Sequence, residues 1–203
     1  MPKVAYSEEQ RTQLRDDLIT VALELMTKQG IQSTAVEQIC TRVGISRTFF
    51  YSFFPAKEDL VVQAFYRQQP QILAHAQKLM NNPELSWRDG VEQFFHNINS
   101  DGQSRFAIMS VEEQKSLYKC LSEESRQSFQ DRQLTFLTDL LHIFHIYADT
   151  PTIKLLSNLV ISTLILHKAI PNTLPFLFSD AADEMTNFQI DAILNYMETL
   201  REY

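Results

Sequence analysis

The sequence predicts an all-α protein in two domains, a three-helix head over residues 1 to 60 and a larger helical domain over residues 61 to 203. Three observations carry that expectation. Glycine occurs only four times in 203 residues. Apolar side chains recur at the three- and four-residue spacing of a helix face. Residues 33 to 60 set two short helical patterns on either side of one tight turn.

Residues 1 to 10 are polar and read as loose. Leu14, Leu18, Val21, Ala22 and Leu25 then trace one face of a first helix that stops at Gly30. Arg11 and Arg15 near its start are able to reach phosphate, although a solvated face is the preferred reading. Thr34 and Glu37 have capping-box spacing, which starts a second helix. Val36, Ile39, Cys40 and Val43 form its apolar face, and Gly44 ends it because glycine accepts a left-handed backbone without steric penalty. Ile45 alone separates that cap from Ser46, a good N-cap for a third helix from Arg47 to Phe54. So short a turn makes the two helices cross steeply, which is the layout of a helix-turn-helix. Phe50 and Phe54 face inward and Pro55 stops the run, leaving Arg47, Thr48, Phe49, Tyr51 and Ser52 as the outer face. Arginine pairs with guanine O6 and N7, a threonine methyl or phenylalanine ring meets a thymine methyl, and a tyrosine hydroxyl suits a phosphate oxygen.

Thr34, Val36, Ile39, Gly44-Ile45-Ser46, Phe50-Tyr51, Phe54, Lys57-Glu58 and Leu60 together resemble the DNA-binding signature of the tetracycline-repressor (TetR) family of dimeric, ligand-responsive transcriptional regulators. The resemblance implies Thr34, Tyr51 and Lys57 on phosphates, with Arg47, Thr48 and Phe49 near base edges. It also implies a C-terminal domain that binds a ligand and pairs two subunits. The chain departs from the pattern in places. Thr48 stands where glycine is common, Phe53 where a histidine or tyrosine touches phosphate, Cys40 and Val43 where alanines are usual, and Ala56 where a capping serine or asparagine is usual. Phe49 and Phe53 have a second reading, as a widening of the apolar stripe of Phe50 and Phe54.

Beyond Pro55, residues 57 to 80 read as helical with an interruption at Pro70, where the ring clashes with the carbonyl four residues earlier and forces a kink or a restart. A hinge and a static bend fit that proline equally. Asn81-Asn82-Pro83 breaks the chain, and Ser86 with Asp89 opens a helix carrying Phe94, Phe95 and Ile98. Residues 100 to 102 are looser, and residues 103 to 121 form one or two short helices. A long helix follows from Ser122 to the region of Tyr147, with Phe129, Phe136, Leu137, Leu140, Leu141 and Phe144 inward. Thr150 caps the next helix with Pro151 at its first position. From Leu155 to Leu166 that helix is apolar nearly all round, which implies burial on more than one side. Pro171 and Pro175 bracket the link to a final helix from the region of Ala181 to Leu200. Leu156, Val160 and Leu164 with Ile190, Ile193, Leu194 and Met197 are therefore expected at a symmetric homodimer interface, a monomeric bundle being the alternative.

Charge argues against DNA. The chain carries −7, and residues 1 to 60 hold seven Lys/Arg against eight Asp/Glu. Placement matters more than the sum, since Arg42, Arg47 and Lys57 cluster at the third helix while Glu37, Glu58 and Asp59 serve helix starts. Cys40 reads as a small buried hydrophobe, and Cys120 has no nearby partner. No phosphate loop, nucleophile elbow or zinc-protease helix occurs, so no enzyme and no cofactor are expected. Asp139, His142 and His145 are too few for a metal site, and none is expected. No signal segment and no apolar run long enough to span a membrane are read, so a cytoplasmic protein is expected.

Phe94, Phe106, Met109, Tyr118, Phe136, His142, Phe144 and His167 supply the apolar surface and polar groups expected of a small-molecule pocket, which would take an apolar effector. The expected function is a homodimeric, ligand-responsive regulator, a repressor rather than an activator, reading a palindrome in double-stranded DNA. The alternative is a helical ligand-binding or protein-interaction module that has lost specific DNA binding.

Overall fold

A computed structural model describes residues 6–99, 106–170 and 174–201. Among them every regular element is helical, and Ile146 and Arg201 form an isolated antiparallel bridge. The α-helices of the described residues are α1 (Glu8–Gln29), α2 (Val36–Val43), α3 (Arg47–Phe50), α4 (Lys57–Met80), α5 (Trp87–Asn99), α6 (Val111–Cys120), α7 (Glu123–Ile143), α8 (Thr150–Ala169) and α9 (Ala182–Thr199).

In the head, α1 begins at Glu8, inside the segment read as loose, because Ser7 and Gln10 form a reciprocal capping box. Its buried face is Leu18, Ile19, Ala22 and Met26, rotated slightly from the expected stripe. Thr34 does not cap α2. Ala35 is the N-cap, its N–H donates to Gln38 Oε1 at 2.9 Å, and Gly44 closes the helix in the left-handed region at φ 81°. Ser46 caps α3 as expected, accepting from Phe49 N–H at 3.1 Å. The α-helix then ends at Phe50, four residues short of expectation, because Ser52 and Phe53 donate to carbonyls only three residues back. Phe50 and Phe54 are buried, as is Cys40.

Helix α4 joins the two halves. Leu60, Val61, Ala64 and Phe65 belong to the head's core, whereas Ile72 and Ala76 belong to the second core. It runs through Pro70 without restarting. Helices α5, α7, α8 and α9 pack around the second core, where Trp87 donates its indole N–H to the Phe144 carbonyl at 2.7 Å. Arg88 of α5 meets Asp191, Asn195 and Glu198, one face of α9. Helix α7 ends earlier than expected, the chain leaving through His145 at φ 58° and Ile146 N–H returning to the Leu141 carbonyl. Asp149, one residue before Thr150, caps α8. Residues 100 to 102 and Pro171 lie outside the described residues.

The faces of α8 and α9 overturn the expected interface. Leu156, Leu164, Ile190, Ile193, Leu194 and Met197 are buried in the chain's own core, with Val160 packed against it. The apolar groups left outside are different ones: Leu155, 47% exposed, with Leu159 and Ile161 on α8, and Phe188, 74% exposed, with Tyr196 on α9. Each helix turns its most periodic stripe inward because the monomer has its own core to fill.

Candidate DNA-reading face and effector cavity

Helix α3 and the turn that follows it present Arg47, Thr48, Tyr51 and Ser52 to solvent. The buried Phe50 and Phe54 fix the opposite side, and the Ser46 cap satisfies the helix start. Tyr51, one turn beyond Arg47, pushes the guanidinium pKa further up through its neighbouring hydroxyl, and an arginine charge on this face is permanent. Ser52 donates its hydroxyl to the Phe49 carbonyl at 2.7 Å, which leaves it as an acceptor only. Phe49 is neither core nor free. It stacks on Tyr6 with ring centroids 5.0 Å apart and meets Phe53 edge-on at the same distance. The Arg11 guanidinium lies 4.8 Å from the Phe53 ring centre and 5.7 Å from that of Phe49.

Two expected phosphate contacts are corrected. Thr34 is fully buried and donates its hydroxyl to the Gly30 carbonyl at 2.8 Å, closing the turn between α1 and α2. Lys57 folds back so that its ammonium donates to the Ile31 carbonyl at 2.6 Å, and burial pushes its pKa down. Arg42 is also engaged, in an ion pair with Glu24 at 2.7 Å. The basic surface around α3 therefore consists of Arg47 and Arg11 more than the sequence suggests.

In the second half a cavity of about 250 Å³ lies between α4, α5, α7 and α8 and the segment leading into α6. Of the expected pocket residues, Phe94, Phe106, Met109 and Phe136 line it. The other four do not. Tyr118 is 59% exposed under Arg126, and His142 is exposed and stacked on Tyr147. Phe144 is core, edge-on to Phe94. His167 is buried against α9, its Nε2 2.9 Å from Asp183 Oδ1. Sequence reasoning missed Gln68 and Gln69. Gln68 clasps Ala107 by both amide ends, each at 3.0 Å. Their signal was available, since two amides fall between the core positions Phe65 and Ile72 of α4.

The wall of this cavity reaches the head. Ala107 is held by Gln68, Lys168 donates to the Ile108 carbonyl at 3.0 Å, and Met109 leads into α6. Glu113 then accepts from Ser110 N–H within α6 and, through its other oxygen, from Gln32 N–H of the α1–α2 turn at 2.9 Å. A second opening, broader and solvent-facing, lies between α4 and α7 over Tyr66, Pro70 and Leu73. Among the described residues no group of three potential metal ligands gathers, and no helix is long and apolar enough to cross a membrane.

Residues 18–64 match the model of a family described as bacterial regulatory proteins, tetR family. Over 142 residues the chain is 26% identical to YuxN, an HTH-type transcriptional regulator of Bacillus subtilis, a match that covers 68% of this chain and 48% of that protein. The chain spans about half the length of the curated relatives it matches. Its fold is that of a TetR-family transcriptional regulator from Cytophaga hutchinsonii, with TM-score 0.63 at 13% identity over 98% of this chain and 99% of the other. It is also similar in fold to RolR, solved with resorcinol bound, with TM-score 0.58 at 14% identity over 94% and 90% of the two chains.

Proposed function

We propose, from the premise that this chain carries the head of the TetR family of bacterial regulatory proteins, that it is a homodimeric, effector-responsive repressor that reads a palindromic operator through α3. The observation that carries the reading is the exposed row Arg47, Thr48, Tyr51 and Ser52 on α3 and its closing turn, a segment whose other side is pinned by Phe50 and Phe54. Arg47 supplies the base contact, which discriminates by about 1 to 3 kcal/mol when bidentate. Tyr51 supplies the phosphate contact. Two heads spaced about 34 Å, or a multiple, fit successive major grooves on one face of DNA.

The effector site of this reading is the apolar cavity between α4 and α8. A fold neighbour that holds resorcinol supports a small ring-bearing ligand. Dimerisation uses the outer faces of α8 and α9, where Leu155, Leu159, Phe188 and Tyr196 stand exposed. An effector acts by binding one spacing of the heads more tightly than the other, because equal affinity for both shifts nothing. The Gln68–Ala107 clasp and the Glu113–Gln32 bond give the cavity wall a direct tie to the head.

The acidic net charge of −7 favours the second reading, a ligand-binding or interaction module without specific DNA binding. One experiment separates the two. Selection of binding fragments from genomic DNA by the purified protein is expected to recover a palindrome, and Arg47→Ala is expected to weaken that site at least fivefold. Absence of enrichment at low salt by a folded dimer, with and without cell extract, would establish the second reading.

A further inference from the structure

Gln69 carries a buried amide nitrogen with no partner. It is only 8% exposed, and its Nε2 has no hydrogen-bond partner among the described residues. The neighbouring Gln68 differs completely, since both ends of its amide are taken by Ala107. Gln114 of the same wall is also occupied, its Nε2 lying 3.5 Å from the Met109 carbonyl. Gln69 borders the cavity together with Ile72, Phe94, Phe136 and Leu140. Among the described residues lining that space none carries a charge. A donor removed from water and left unpaired is unfavourable, and a turn of the Gln69 side chain toward the cavity lets an acceptor bound there relieve that penalty.

We infer that the cavity selects a neutral, apolar, ring-sized molecule bearing a hydrogen-bond acceptor, and that Gln69 Nε2 donates to that acceptor. The inference rests on the reading of this cavity as the effector site. Size supports a ring, because an apolar cavity of about 150 Å³ in another protein takes up benzene, and this one measures about 250 Å³. The lack of charged lining groups excludes carboxylates and ammonium compounds, whose desolvation would go uncompensated. Apolar contact supplies affinity and the unpaired Gln69 amide supplies selection, the usual division of labour in small-molecule sites.

Two probes of nearly the same shape test it. Acetophenone and α-methylstyrene share a ring and a methyl group and differ in C=O against C=CH2. Calorimetric titration of the full chain is expected to give at least tenfold tighter binding of acetophenone. In Gln69→Met, a variant of similar length without the donor, the two affinities should agree within about twofold, with circular dichroism confirming an unchanged fold. Leu137→Phe, which fills the cavity from the α7 side, should weaken both probes. Equal affinities in the native protein, or a preference that survives in Gln69→Met, would overturn the role of Gln69 while leaving the cavity as a ligand site. Loss of neither probe in Leu137→Phe, or no binding of either to the native protein, would overturn the cavity reading together with this inference.

Discussion

Lys57 and Thr34 are residues whose positions suggest DNA contact and whose atoms are committed inside the fold. The Lys57 ammonium is held below its ordinary pKa of 10.5 by burial, whose cost outweighs the bond to the Ile31 carbonyl. Folding therefore disfavours the charged form, and between the folded and unfolded pKa the unfolded chain binds more protons. Lys57 then penalises folding fully below its folded pKa, and stability rises with pH through the window up to 10.5. Denaturant titrations of native protein and Lys57→Met should show the native chain gaining on the variant as pH climbs through that window. A constant difference would contradict the assignment. Thr34→Val should cost about 1 kcal/mol through loss of the bond to the Gly30 carbonyl, with affinity for the selected operator unchanged. The side chains of α3 were legible because one buried face leaves only one outer face. Thr34 and Lys57 were not, because both sit at helix starts, where a hydroxyl or ammonium turns inward or outward according to which carbonyl the tertiary fold brings near.

At the scale of elements, caps and apolar periods placed α2, α5 and the start of α3, and the exceptions have local causes. Helix α2 is ended by Gly44 at φ 81°, and a Cβ there would meet nothing within 4 Å. Gly44→Ala therefore isolates backbone strain from crowding. It should destabilise the head by about 1 to 2 kcal/mol, read as a lower melting temperature at unchanged helix content. The start of α4 is the converse case. Ala56 is an N-cap with no side-chain acceptor, and Asp59 Oδ2 bonds only the Ala56 N–H. Ala56→Ser should add the missing half of the box and stabilise by about 0.5 to 1 kcal/mol; a melting temperature at or below that of the native protein would show that the cap geometry is not available. The ends of α3 and α7 were illegible for one reason. Each closes without a glycine, α3 by tightening to shorter backbone bonds and α7 through a left-handed histidine, so no residue type announced the stop.

For the whole molecule the sequence indicated that α8 and α9 have more apolar surface than one face needs, and it misassigned which face is spare. Periodicity counts apolar positions but carries no direction, so the densest stripe looked like an interface although it fills the chain's own core. The exposed remainder, Leu155 and Leu159 on α8 with Phe188 and Tyr196 on α9, is what a second subunit would cover. Leu159→Glu combined with Phe188→Glu places like charges on both sides of a two-fold contact. Sedimentation should then give a folded monomer, while Leu194→Glu, which buries a charge in the monomer core, should unfold the chain instead. The same monomer separates the sources of operator affinity. On the proposed reading each head would neutralise few phosphates, since Lys57 and Arg42 are engaged within the fold. The slope of log affinity against log salt, about −0.9 for every phosphate neutralised, should therefore be shallow for the native protein and close to half as steep for the monomer on a half-site. Equal slopes for the two would mean that one head already makes every ionic contact, which would remove the reason to invoke a palindrome.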